Sequence, residues 1–268
     1  MQLDDKVIAI TGGGIDEPTD RTWAQAAAEG INYLGTTERD VGERKYSNEN
    51  FGIWNYMGAF FAEGRMHQID EAYDGPAESY DPVMFTATRG IWTDYLENRI
   101  YEPLGIRGAC AAVDFAGPDH VLLYNYKQGD GADETGYKPN PADTPNCTSG
   151  GIVMSLRDMS TFVHALANTG EVITKLQYRN HLERTDKNVF GWNGDARSDD
   201  GRMHWKAGAS TKRGGHLGAH VMAFTSGYTA VIATNSFPRE GTEWKRHTVI
   251  RDAFDAARAA STGVISSN

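Results

Sequence analysis

The apolar positions of this chain change their period part way along it. An alanine-rich run from Asp20 to Glu29, ended by Gly30, predicts a helix. Between Ser47 and Glu63, residues Phe51, Trp54, Met57, Gly58 and Phe61 recur at helical spacing, with Ser47 placed to cap the start. Residues 66 to 87 hold Pro76, Pro82 and several acids, and read as a loop insertion. Ile91 to Tyr101 predicts a third helix, stopped by Pro103 and Gly105. Residues 127 to 146 are rich in Gly, Pro, Asn and Asp and read as a second long loop. The best-marked helix is Ser155 to Asn168. Ser155 and Asp158 have the spacing of a capping box, with aspartate where glutamate is usual. Met159, Phe162, Val163 and Leu166 form its apolar stripe, and Gly170 follows its end.

After about residue 188 the period shortens to two. Arg202 to Ala209 alternates as a strand. Ala219 to Phe224 and Tyr228 to Thr234 are β-rich runs joined by Thr225-Ser226-Gly227, a hairpin turn by composition. A final helix from about Thr242 to Ala260 is expected to bury Val249, Ile250, Ala253, Phe254 and Ala257. Helices come first, then antiparallel strands with a covering helix, an order that predicts an α+β fold. On this reading residues 1–187 are a mainly helical region with long loops, and 188–268 carry the strands and the C-terminal helix as part of the same unit.

Composition narrows the picture only a little. The 268 residues are 40% hydrophobic and 23% charged, within the globular range. A formal net charge of −10 argues against nucleic acid and anionic membrane as partners. No apolar run reaches the ~20 residues that span a bilayer, and no signal peptide is visible, so the compartment stays open. Cys110 and Cys147 are too few for a disulfide framework and read as two unlinked thiols. The eight histidines show no metal spacing: His216 and His220 would face one way on a strand, yet about 13 Å apart.

Candidate chemistry lies at opposite ends of the chain. On the strand Arg202–Ala209, alternation puts Met203, Trp205 and Ala207 on one face and His204, Lys206 and Gly208 on the other. Lys206 supplies positive charge, and Gly208 lets a substrate backbone lie close. The backbone N–H of Ala209 is then placed to meet a developing oxyanion. The same pattern also suits an edge lysine that discourages aggregation. Tyr46 offers a phenol for proton transfer, provided nearby cations bring it toward neutral pH. Asn48 offers an amide donor and a carbonyl acceptor.

Taken together, these segments resemble the serine β-lactamase family, in particular the class C β-lactamases and their esterase and DD-peptidase relatives. Tyr46-Ser47-Asn48 followed by Phe51-Gly52 is similar to the family's Tyr-x-Asn loop entering its helix. Glu102-Pro103-Leu104-Gly105-Ile106 is similar to its proline-leucine-glycine segment. Gly150-Gly151-Ile152-Val153, through Ser155, Arg157, Asp158 and Phe162, resembles its glycine pair and following helix. Lys206-Ala207-Gly208-Ala209, Val221-Met222-Ala223-Phe224 and Ala233-Thr234-Asn235 resemble the third motif, its hairpin and an asparagine near the substrate.

The resemblance implies a β-lactamase/transpeptidase-like α+β fold and an acyl-enzyme mechanism on an ester, amide, peptide or β-lactam, with no cofactor. In it Tyr46 helps move the serine proton, and Asn48 and Lys206 shape the field. The Ala209 N–H is half of the oxyanion hole beside Gly208, and Asn235 is a substrate contact. Three features depart from the family pattern. No lysine has a serine three residues before it; Thr135 before Lys138 and Thr242 before Lys245 come nearest. Ala207 stands where the family has threonine or serine, and residues 210–217 lengthen the following loop. The opening Leu3 to Ile15 resembles the family segment that follows the nucleophile motif, which implies that the N-terminal strands and the Ser-x-x-Lys segment are missing. An uncovered sheet edge would then favour self-association. Two functions follow as expectations: a serine hydrolase unit without its own nucleophile, inactive alone, or a binding module that keeps the cleft.

A second resemblance fails on its chemistry. Asp4 to Gly14 is similar to the first strand and glycine turn of short-chain dehydrogenases. Asp16 and Pro18, however, stand where further glycines must admit a pyrophosphate, and no tyrosine is followed four residues later by lysine.

Overall fold

The computed structural model describes residues 75, 77–110, 152–183, 191–210, 217–235 and 246–265. The helices expected at Asp20–Glu29 and Ser47–Glu63, the loop at 127–146, and Cys147 lie outside them. The chain divides into two compact units. Among the described residues the first holds 75, 77–100, 109–110 and 152–153; the second holds 101–108, 154–183, 191–210, 217–235 and 246–265.

In the first unit, α1 runs over Ala77–Leu96, and wider turns over Glu97–Tyr101 carry the chain to residues 101–108 of the second. This corrects the loop expected up to residue 87. Pro82 is the sixth residue of the helix, past the first turn, so it removes one i→i−4 hydrogen bond, and the helix nonetheless continues for fourteen residues beyond it. Thr88 is fully buried and Ile91 nearly so, and the Thr93 hydroxyl donates to the Arg89 carbonyl at 2.9 Å. Nor does Pro103 end the helical path. It sits in the first turn of the short α2, Glu102–Leu104, where its missing N–H costs nothing. Gly105, at φ 63°, provides the left-handed stop. Strands β1 (Gly108–Cys110) and β2 (Ile152–Met154) form a separate two-stranded sheet.

The second unit is built on a four-stranded antiparallel sheet in the order β3-β4-β5-β6, namely Gly194–Ser198, Gly201–Ser210, Leu217–Phe224 and Thr229–Thr234. The β5–β6 turn falls where composition puts it. Gly227 adopts φ 93°, and its N–H donates to the Phe224 carbonyl at 2.9 Å. Helix α3, Leu156–His164, starts as expected: the Ser155 hydroxyl accepts from the Asp158 N–H at 3.0 Å. Asp158 does not complete a reciprocal box; its carboxylate accepts from the Ser155 hydroxyl instead. A reciprocal box occurs at Thr174 and Gln177, opening α4, Lys175–Gln177. Gly170, at φ 87°, closes the turns that continue α3 over Ala165–Thr169.

The sheet is covered on both faces. Met203, Met222 and Phe224 form one core with Ile250 and Phe254 of the C-terminal helix α5, Arg246–Ile265. Ala223 packs on the other face with Tyr178 and Trp192, backed by Leu166, Ala167, Ile173 and Leu182. The stripe expected on α5 needs correction. Val249, Ala253 and Ala257 are exposed, and the helix packs through Arg246, His247, Ile250 and Phe254. Alanine is a weak marker of burial, and Arg246 and His247 are polar residues that pattern reading assigns to solvent.

Candidate functional site

The strand β4 reaches beyond its neighbour. β3 pairs with it from Ser198↔Gly201 to Gly194↔Trp205 and then ends. β5 continues to pair along the whole remaining length, from Lys206↔Val221 to Ser210↔Leu217. Among the described residues, Lys206 to Ser210 therefore have a strand on one side only. The β3 hairpin nonetheless caps the start of this open stretch. Asn193 donates its N–H to the Trp205 carbonyl at 2.8 Å, and its side-chain Oδ1 accepts from the Ala207 N–H at 2.6 Å. Both β4 groups point toward the β3 side. Alternation along an antiparallel strand then directs the Ala209 N–H to that side as well, two residues past the cap. Gly208, between them, is exposed, and no described atom lies within 4 Å of where its Cβ would be.

The side chains of β4 divide as alternation predicts. Met203, Trp205 and Ala207 share the face covered by α5. Lys206 is half-buried on the opposite face, in register with Val221 of the core around Tyr178 and Trp192. His204 is on the same face, 1% exposed, and among the described residues neither ring nitrogen has a hydrogen-bond partner. Burial pushes its imidazole below the ordinary value, against the upward pull of Glu183 and Asp195. The Tyr178 hydroxyl in this core also lacks a hydrogen-bond partner among the described residues, and burial, with Glu183, raises its pKa.

At the open end the register runs straight across three strands: Ala209 opposes Gly218, and Gly218 opposes Thr234. Thr234 thus stands two strand spacings, about 9–10 Å, from Ala209, and Asn235 follows it. Beneath this end, on the α5 face, aromatic rings are layered. His247 stacks on Trp205 at 4.1 Å and 4°, and His220 lies 6.0 Å from His247 and 6.3 Å from Trp205. Desolvation, then the Arg246 and His247 charges, lower the His220 imidazole to about 4, so it is neutral at pH 7.

The residues expected to act therefore fall into two groups. Lys206, Gly208, Ala209 and Asn235 belong to one end of one sheet. Tyr46 and Asn48 lie outside the described residues. Sequence reasoning missed Asn193, His204, His220 and Arg246. Asn193 sits in a Gly-Trp-Asn-Gly turn with no periodic signal, and the others are polar residues whose burial only the packing reveals. Among the described residues no cluster of three metal-ligating side chains occurs, and no helix is long and apolar enough to cross a membrane.

A family model described as Beta-lactamase matches residues 86–254, well over half of the chain. No curated protein and no solved structure matches significantly.

Proposed function

This chain belongs to the Beta-lactamase family, and on that premise we propose that it is a serine-hydrolase-type acyl-transfer unit that lacks its own nucleophile. The observation that carries the reading is the open end of β4. A strand edge with Lys206 beside exposed Gly208, and an Ala209 N–H turned outward, suits an extended acyl substrate whose carbonyl accepts that hydrogen bond. In the reaction a serine hydroxyl attacks the carbonyl carbon. Tyr46 relays its proton to the leaving ester, amide or β-lactam group, and water releases the acyl group afterwards. Lys206 and Asn48 hold the phenol and the substrate in a favourable field, and Asn235 contacts the substrate from the end of β6. The serine must come from outside these 268 residues, because no Ser-x-x-Lys occurs within them.

Loss of a serine nucleophile costs on the order of a millionfold in rate. The chain alone is expected to hydrolyse nitrocefin or p-nitrophenyl acetate no faster than its Tyr46→Phe variant. A covalent adduct with a fluorophosphonate or with benzylpenicillin, located by peptide mass spectrometry, would overturn the assignment and reveal the missed nucleophile.

The missing Ser-x-x-Lys favours a second reading, a non-catalytic ligand-binding homologue. Calorimetry separates the two: a ligand bound and recovered intact, with no gain when a Ser-x-x-Lys segment is supplied in trans, supports the binding module. The first reading also includes self-association through a sheet edge. Among the described residues β6 has one strand neighbour, and light scattering of the purified chain tests the point.

A further inference from the structure

We propose that Arg246 is a positioning residue for the Ala209 amide, acting through the backbone of Gly218. The proposal rests on the reading of Ala209 as the oxyanion donor.

Beyond Ala207, where the Asn193 cap ends, β4 is held among the described residues on one side only, so the place of Ala209 depends on β5 and on whatever supports β5. β6 pairs with β5 on its far edge, and the first residue of α5 supports it from one face. The Arg246 side chain is 7% exposed, and its Nη2 donates to Thr234 Oγ1 at 2.7 Å. Its guanidinium also lies against Gly218. A Cβ there would meet Nη1 at 2.8 Å and both Cζ and Nη2 at 2.9 Å. Near-equal distances to three atoms of one plane mean that the guanidinium presents its face, not its edge. Any side chain at 218 must displace it. Arg246 therefore touches two of the three residues in the row Ala209–Gly218–Thr234, and Asn235 follows the last. The next helix residue fastens the same end to β4, because His247 stacks on Trp205 at 4.1 Å. A planar, delocalised cation suits this place; the compact ammonium of lysine offers no flat surface for the glycine. An oxyanion donor is useful only when held within about 0.5 Å of its position, and this row is where such tolerance would be set.

Amide NMR of the full chain tests this. In Arg246→Lys, which keeps the charge, and in Gly218→Ala, the Ala209 order parameter should fall from the rigid range near ~0.85 toward ~0.6. The Gly208 amide, which faces β5, should exchange about tenfold faster. The amides of Met203 and Met222, at the other end of the same strands, should keep their exchange rates. Equal acceleration at both ends, or an unchanged Ala209 in Arg246→Lys, would overturn the proposal. Benzylpenicillin is the ligand probe: it should shift the parent's Ala209 resonance, and less so in Arg246→Lys. If the parent's Ala209 shows no shift, the oxyanion reading fails, and the ligand-free dynamics still decide the positioning role.

Discussion

Beneath a single helix the sheet of the second unit is packed in two different ways. At the turn end, Met203 and Met222 are fully buried, Phe224 lies 4.1 Å from Phe254, and Tyr228 lies 5.2 Å from it. That half is apolar and depends on fit. At the open end of β4 the same layer holds Trp205, His220 and His247 in stacked planes, with the Arg246 guanidinium against a glycine beside them. That half is polar and depends on orientation. Hydrophobic burial is non-directional and suits anchoring. Stacking and hydrogen bonding are directional and suit a strand end proposed to hold a backbone amide in place. The candidate chemistry sits at the end packed for direction.

The largest expected effect comes from breaking the apolar half. Met203→Ala removes a side chain with no exposure and should cost about 2–5 kcal/mol in urea unfolding. If the loss is well under ~1 kcal/mol, the anchor lies elsewhere and the contrast between the ends disappears.

Next comes pH, which probes the polar half. The folded-state pKa of His220 is lowered to about 4, below its unfolded value near ~6.5. The unfolded chain therefore binds more protons between those values, and stability falls as pH drops from about 6.5 to about 4. His204, also lowered by burial, contributes in the same direction from the opposite face. His220→Phe keeps a ring in the stack and removes the proton site. It should flatten this part of the pH–stability curve, as denaturation midpoints at pH 7 and pH 4.5 would show. An unchanged slope would remove His220 from the account.

The smallest effect is a control at a helix cap outside the sheet. Ser155→Ala deletes the cap of α3 and should cost about 1 kcal/mol. Its pH dependence should match the parent's. A changed slope would mean that α3 is coupled to the buried histidines.

Much of the scaffold was readable along the chain. The hairpin turn at Thr225-Ser226-Gly227, the Ser155 cap and the Gly170 stop are local events, each determined by the shape and hydrogen bonding of a few neighbours. The alternation of β4 likewise put Lys206 and Gly208 on the face opposite Met203. Errors arose where local chemistry is ambiguous. Pro82 suggested a loop because a proline past the first turn opposes a helix locally, and local propensity is overridden when the rest of the helix is held by its packing. Val249, Ala253 and Ala257 suggested a buried stripe, because small and apolar residues are tolerated on either face of a helix.

Sequence by itself determined α3, the strands β4 to β6, the C-terminal helix, the family and the absence of a Ser-x-x-Lys motif, since each depends on residues close together in the chain or on a pattern that can be counted. Tertiary structure alone decided that β3 stops at Trp205, that Asn193 caps Ala207, and that Arg246 lies face-on against Gly218. Those contacts join residues whose meeting depends on strand register and on the seating of a helix. No local propensity encodes either, because each is the outcome of the whole core finding its closest packing.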